Sequence, residues 1–115
     1  MLIEEIQIIC AGLPGVTEDI KWESNLCFSV KDKIFLMISL DEVPPTASFK
    51  VNDDDFEEIS CRDGFRPAPY FGRYKWVVLD DIDRLDSKEW EQFIRTAYDL
   101  VKARLPLRLR KELGK

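Results

Sequence analysis

Residues 26–40 read Leu-Cys-Phe-Ser-Val-Lys-Asp-Lys-Ile-Phe-Leu-Met-Ile-Ser-Leu. Two runs in this segment, Leu26 to Val30 and Ile34 to Leu40, are rich in aromatic and β-branched residues, a composition typical of β-strands. The polar residues Lys31-Asp32-Lys33 between them suit the tight turn of an antiparallel hairpin. The segment therefore predicts two paired strands in an antiparallel sheet.

The sheet is expected to continue after an interruption at Val43-Pro44-Pro45, because proline cannot donate a hydrogen bond to a strand ladder. Thr46 to Val51 alternates between polar and apolar side chains, which predicts a half-buried strand with one face toward solvent. Tyr74 to Leu79 is predicted as a further strand, closed by the acidic turn Asp80 to Asp83. The residues between them form a loop punctuated by Gly64, Pro67, Pro69 and Gly72.

Helices are predicted on both sides of these strands. The first ends at the breaker Pro14-Gly15 and has an apolar stripe of Leu2, Ile6, Ile9 and Leu13. Asn52 followed by three aspartates predicts the start of a short second helix that runs to about Cys61. Asp86 and Glu89 resemble a capping box at the start of a long last helix. Its stripe consists of Trp90, Phe93, Ile94, Ala97, Val101 and Leu105.

Strands clustered between helices favour an α+β fold in which helices pack on one face of an antiparallel sheet. The opposite face is expected to be open. The 115 residues, 45% hydrophobic and 34% charged, suit one domain with one core that spans residues 1–115. Pro106 is expected to end the last helix, and residues 107–115 to form a short helical turn or fray.

The composition argues against several classes of protein. The longest apolar runs are too short to cross a bilayer, and the first residues do not resemble a signal peptide. We therefore expect a soluble cytoplasmic protein with no membrane partner. The absence of histidine removes the commonest general base and the commonest metal ligand. We expect no enzyme, no catalytic residue, no metal and no cofactor.

The three cysteines, Cys10, Cys27 and Cys61, are too widely spaced for a zinc site and odd in number for a disulfide framework. We interpret them as free thiols. An enzyme that uses cysteine, lysine or glutamate stays open as a third class of function. A deep pocket holding Cys27 beside a lysine would favour it.

A basic and aromatic stretch, Arg66-Pro-Ala-Pro-Tyr-Phe-Gly-Arg-Tyr-Lys-Trp76, offers the clearest candidate site. Cations among aromatic rings suit phosphate contact with base stacking, and they equally suit a protein-interaction hot spot. The plainer alternative is that the rings lie in the core and the cations only extend to solvent. The candidate binding residues, with two lysines of the predicted sheet, are Lys33, Lys50, Arg66, Tyr70, Arg73, Lys75 and Trp76.

The charge distribution gives a mixed indication about polyanions. The net charge of −5 opposes non-specific association with nucleic acid, so a polyanion would have to meet a local basic surface. A basic tail supplies further cations after residue 101, and we interpret them first as favourable partners of a helix C-terminus. They are Lys102, Arg104, Arg108, Arg110 and Lys111.

The chain as a whole resembles the MmcQ/YjbR family of small bacterial proteins. The likeness rests on ordered pieces along nearly its full length: Leu13-Pro14-Gly15-Val16-Thr17-Glu18, Trp22, Lys33, Phe49-Lys50-Val51, Pro67-Ala68-Pro69-Tyr70, Lys75-Trp76-Val77, Tyr98 and Leu105-Pro106. The resemblance implies a CyaY-like or secretion-chaperone-like α+β fold and a DNA-binding function. The hypothesis that follows is a non-enzymatic module that binds nucleic acid on its open sheet face. The alternative is a protein-interaction or chaperone-like module that uses the same aromatic residues.

Overall fold

The computed structural model describes residues 3–69 and 71–113. The described residues form four helices and one sheet. The helices are α1 (Ile3–Ala11), α2 (Phe56–Ser60), α3 (Ser87–Lys102) and α4 (Leu107–Leu113). The strands are β1 (Val16–Lys21), β2 (Asn25–Val30), β3 (Lys33–Ser39), β4 (Thr46–Lys50), β5 (Phe65–Pro67) and β6 (Trp76–Leu79). The described residues thus form the α+β fold that the sequence predicts.

The sheet has six strands in the order β1-β2-β3-β4-β6-β5, and every neighbouring pair is antiparallel. The β2–β3 hairpin is confirmed, and its turn is tight because Lys31 and Asp32 both adopt positive φ angles. A bulge after Phe28 shifts the register and allows Phe35 and Leu36, adjacent in sequence, both to be buried. The two strands of the predicted hairpin are therefore paired, as the second and third strands of the sheet.

The core lies between one face of the sheet and helices α1 and α3. Trp90, Ile94 and Ala97 of α3 are almost completely buried, so the predicted stripe is confirmed. Trp90 packs against Phe49 with ring centroids 5.7 Å apart, and its indole N–H donates to the carbonyl of Ile82 at 2.9 Å. Aromatic burial of this kind anchors α3 across the middle strands.

The two ends of the described chain meet on the same side of the core. The Tyr98 hydroxyl donates to the carbonyl of Pro14 at 2.6 Å, which fixes the turn after α1 against α3. Gly15 has a φ of +75° and lies under Leu113 of α4. Residues 107–113, expected to form a short turn or fray, therefore make a docked helix.

Several boundaries differ from the prediction. Val16–Lys21 forms β1, which sequence reasoning missed, and Phe65–Pro67 forms β5 inside the predicted loop. Residues 72–74 form a 3-10 turn, so β6 begins at Trp76 rather than Tyr74. The second helix begins as a 3-10 turn at Asp53. No helix within the described ranges is long and apolar enough to cross a membrane.

Candidate ligand-binding site

The open face of the sheet is the side that α1 and α3 leave uncovered. The strand registers place one row of side chains across the four central strands, and these side chains are Cys27, Met37, Ser48 and Val78. The row is uncharged, and Cys27 and Val78 in it are buried. Of these four side chains only Met37 lines a cavity, the aromatic groove.

An aromatic groove lies on this face, with a volume of about 320 Å³. Trp22 from the β1–β2 turn is 68% exposed, and Phe71 from the loop before β6 is 52% exposed. Phe71 stands beside Trp76, with ring centroids 6.3 Å apart. The full lining is Trp22, Asp32, Lys33, Ile34, Met37, Phe71 and Trp76. Exposed rings around an apolar floor offer stacking surfaces to a planar ligand.

A cationic pocket adjoins the aromatic groove, with a volume of about 390 Å³. Three cations line it, and they come from the start of β3, the end of β4 and the turn after α3. The full lining is Lys33, Ile34, Lys50, Tyr74, Trp76, Val101 and Arg104. Lys33, Ile34 and Trp76 line both cavities, so the two are adjacent and share a wall.

Lys50 is the most enclosed cation of the pocket, and its side chain and backbone together are only 6% exposed. Its ammonium donates a short hydrogen bond to the carbonyl of Tyr74. Burial lowers the pKa of Lys50, and the positive charges of Arg104 and Lys75 lower it further, while Asp53 acts in the opposite direction. Lys50 is thus held in a region of positive potential.

The cations of the pocket have no carboxylate partner in the described parts of the chain. The ion pairs found there join Lys31 to Glu112, Arg62 to Glu89 and Arg84 to Asp80. None of these pairs includes a cation of the pocket. The cations of the pocket therefore have no ion-pair partner among the described residues, and although Asp53 offsets part of the positive charge at Lys50, the excess suits an anionic ligand group.

The structure brings together three of the seven predicted binding residues. Lys33, Lys50 and Trp76 line the cationic pocket. Arg73 stacks over the neighbouring Tyr74 ring at 4.9 Å, outside the pocket lining. Lys75 has its ammonium 5.0 Å from the centre of the Phe56 ring, beside α2.

Of the remaining two predicted residues, the structure describes only Arg66. Arg66 lies opposite Val78 on the edge strand β5, so it shares the open face but lines neither cavity. Tyr70 lies outside the described residues.

Sequence reasoning missed several lining residues. Arg104 was assigned to the helix C-terminus, although its position three residues after the buried Val101 would have placed it on the inner side of the helix end. Phe71 and Tyr74 belong to the basic and aromatic stretch but are not among the predicted binding residues. The sequence points to Trp22 only through the family resemblance, and no local pattern of residues predicts that Trp22 lines the groove.

Cys27 does not form the reactive arrangement that would favour an enzyme. It is almost completely buried, its thiol lies 3.6 Å from the carbonyl oxygen of Asn25, and burial raises its pKa. Neither of the two cavities is lined by Cys27. Across residues 3–69 and 71–113, no three cysteine, aspartate or glutamate side chains converge as they would to hold a metal ion.

Comparisons with known proteins give a family and a fold. The family model described as YjbR matches residues 11–100. A crystal structure of the Deinococcus radiodurans protein DR2400, with a domain named DUF419, superposes with a TM-score of 0.84 at 22% identity. That match covers 97% of this chain and 87% of the other.

A second solved structure, of a protein from Pseudomonas syringae, has a TM-score of 0.71 at 15% identity. It covers 88% of this chain and 99% of the other. At these identities the two structures establish the fold alone. No curated protein is significantly similar in sequence.

Proposed function

This chain belongs to the YjbR family, and from that premise we propose that it is a non-enzymatic module that binds single-stranded nucleic acid, DNA in the first instance. The observation that carries the proposal is that the cationic pocket and the aromatic groove are adjacent and share Lys33, Ile34 and Trp76 in their linings. Single-strand binding combines cations that contact phosphates with rings on which bases stack. Both elements adjoin on one face here.

The shape of the site favours a single strand over a duplex. Trp22 and Phe71 present their rings at the rim of the aromatic groove, where a base can reach them only if it is unstacked from its neighbours. Stacking on a ring is open to every base, because each base has a flat π face. Binding is therefore expected to depend little on base sequence.

A bacterial cytoplasmic location belongs to the same proposal. Cys10 and Cys27 are buried free thiols and Cys61 is an exposed one. Free thiols, exposed ones above all, are typical of proteins in reducing compartments. Nucleic acid is accessible in the bacterial cytoplasm.

The test is a fluorescence-anisotropy titration with labelled oligothymidylate, alone and paired with oligoadenylate, at low salt. We expect the single strand to bind and the duplex to bind more weakly. The double variant Lys33→Gln/Arg104→Gln should weaken binding by about tenfold or more, because charge-assisted contacts are lost. Both side chains are exposed, so the variant should fold.

The matched control is Lys88→Gln/Arg95→Gln, which removes the same charge from exposed positions on α3 outside the site. It should bind as the native protein does. Equal losses in both double variants would mean that only overall charge matters. No binding of the single strand at low salt would contradict the proposal.

A protein partner is the second candidate function. The observation that favours it is the exposure of Trp22 and Phe71, because exposed aromatic side chains are enriched at protein-interaction hot spots. An apolar contact should be nearly independent of salt, whereas phosphate contacts weaken as salt is added. A salt titration of any partner found therefore separates the two candidates.

A further inference from the structure

We propose, resting on the function above, that the cationic pocket binds the terminal phosphate monoester of a nucleic-acid strand, with the adjoining base in the aromatic groove. A phosphate inside a strand is a diester, whereas a terminal phosphate is a monoester with a second ionisable oxygen. The proposed ligand is therefore the end of a strand, or a nucleotide, and not a phosphodiester inside a strand.

The positive charge of the pocket favours a phosphate monoester over a diester. A phosphodiester carries one negative charge, whereas a phosphate monoester carries about 1.5 to 2 at neutral pH. Lys33, Lys50 and Arg104 meet at one pocket, and none of them forms an ion pair with a described carboxylate. Three cations without an ion-pair partner match the charge of the monoester better than the single charge of a diester.

The helix dipole does not account for the whole cluster of cations. The helix dipole accounts for Arg104, because it follows the C-terminal end of α3. It does not account for Lys33 or Lys50, which belong to strands β3 and β4. Lys50 is buried beside Arg104 at an electrostatic cost to the folded protein, and a dianion in the pocket would offset that cost.

The arrangement of the two cavities favours the end of a strand as the ligand. The aromatic groove adjoins the pocket along Lys33, Ile34 and Trp76. Val101, in α3, and Arg104, in the turn after it, line the pocket and not the groove, so this end of α3 forms part of the pocket wall. A strand that lies in the groove and ends in the pocket would meet this wall with its terminal phosphate.

The experiment compares labelled hexathymidylates that differ only at one end. The first pair carries a 5′-phosphate or a 5′-hydroxyl, with the label at the 3′ end. The second pair carries a 3′-phosphate or a 3′-hydroxyl, with the label at the 5′ end. We expect one phosphorylated end to bind about tenfold more tightly than its hydroxyl counterpart, the gain of a charge-assisted contact.

The same comparison is made with Arg104→Gln, Lys33→Gln and the control Arg95→Gln. The preference for the phosphorylated end should fall to about twofold or less in the first two variants, because each removes one cation of the pocket. It should remain in the control, which lies on the exposed side of α3.

The outcomes separate this inference from the proposed function. If hydroxyl and phosphate ends bind equally at both termini, the inference is wrong and single-strand binding stands. A preference that persists in Arg104→Gln and Lys33→Gln would also overturn it, since the phosphate would then bind elsewhere. If no hexathymidylate binds at low salt, the proposed function fails and this inference fails with it.

Discussion

Cys10, Cys27 and Cys61 have the same side chain in three different surroundings. Cys10 is fully buried in the core, and burial raises its pKa to about 12, with a smaller contribution from Glu18. Burial also raises the pKa of Cys27 beneath the open face. Cys61, at the end of α2, is exposed. Because the thiolate is the nucleophile, only an accessible thiol should react readily.

We therefore expect iodoacetamide at about pH 8 to modify Cys61 first and to leave Cys10 and Cys27 largely unmodified in the folded protein. Mass spectrometry of the intact chain and its peptides measures the sites. The variant Cys61→Ser should gain almost no adduct. If Cys27 were modified as fast as Cys61, the open face would admit reagents to the Cys27 thiol. An enzyme that uses cysteine would then become a candidate function again.

Lys50 is expected to serve binding more than stability. Its ammonium is buried near Arg104, yet it satisfies the carbonyl of Tyr74. The variant Lys50→Met no longer buries a charge, and this gain offsets the loss of the hydrogen bond to the Tyr74 carbonyl. The free energy of unfolding should therefore change by no more than about 1 kcal/mol. Affinity for oligothymidylate should fall about tenfold.

The control for this variant is Lys75→Met, since the Lys75 ammonium lies over Phe56 rather than in the pocket. Its affinity should stay within about threefold of the native value. Urea unfolding and anisotropy measure the two quantities. A loss of several kcal/mol in Lys50→Met would assign the residue a structural role instead.

The alternation in Thr46 to Val51 correctly predicts which side chains share a face, but it does not predict what covers that face. Lys50 was expected on a solvent face and is buried, because the 3-10 turn at residues 72–74 and the end of α3 approach it. These contacts come from distant parts of the chain. The cluster with Arg104 was therefore invisible to local patterns.

At the scale of elements, the strength of the local signal decides what the sequence predicts. The stripe of α3 has period 3.6 over four turns, and the Asp86 carboxylate caps its start by accepting from the Glu89 amide at 2.8 Å. By contrast, β1 reads Val-Thr-Glu-Asp-Ile-Lys and none of its residues is buried. An edge strand of this kind owes its conformation to pairing with β2, which propensity cannot reveal.

Helix α4 depends on the absence of a side chain at Gly15. A β-carbon there would lie 2.2 Å from a methyl group of Leu113, and the φ of +75° is itself strained for other residues. We expect Gly15→Ala to lower the free energy of unfolding by about 1–2 kcal/mol and to loosen α4. Hydrogen exchange at residues 107–113 and urea unfolding measure both effects.

Gly12→Ala is the matched control, because a β-carbon there meets only ordinary contacts, the nearest at 3.5 Å. It should change stability by no more than about 0.5 kcal/mol. Unaltered exchange of the α4 amides in Gly15→Ala would show that α4 docks without the Gly15 contact.

The whole molecule sets the long-range electrostatics of the site. A net charge of −5 means that the long-range field of the molecule opposes a polyanion, so attraction has to come from a local basic surface such as the cationic pocket. The sequence predicts the net charge, but it does not predict that strand and helix ends gather Lys33, Lys50 and Arg104 at one place. Fold and charge together therefore place at this site the local positive charge that the proposed function requires.

The number of phosphates engaged can be measured from the dependence of affinity on salt. Three cations contacting a single strand predict a slope of about −2 for the logarithm of the binding constant against that of salt, roughly a fifteenfold loss between about 50 and 200 mM. Lys33→Gln/Arg104→Gln should reduce the slope to about −1 or shallower. Anisotropy titrations of both proteins at four salt concentrations give the slopes. A steep slope that the double variant leaves unchanged would place the phosphate contacts outside the cationic pocket, and a flat slope would favour the aromatic groove as a surface for a protein partner.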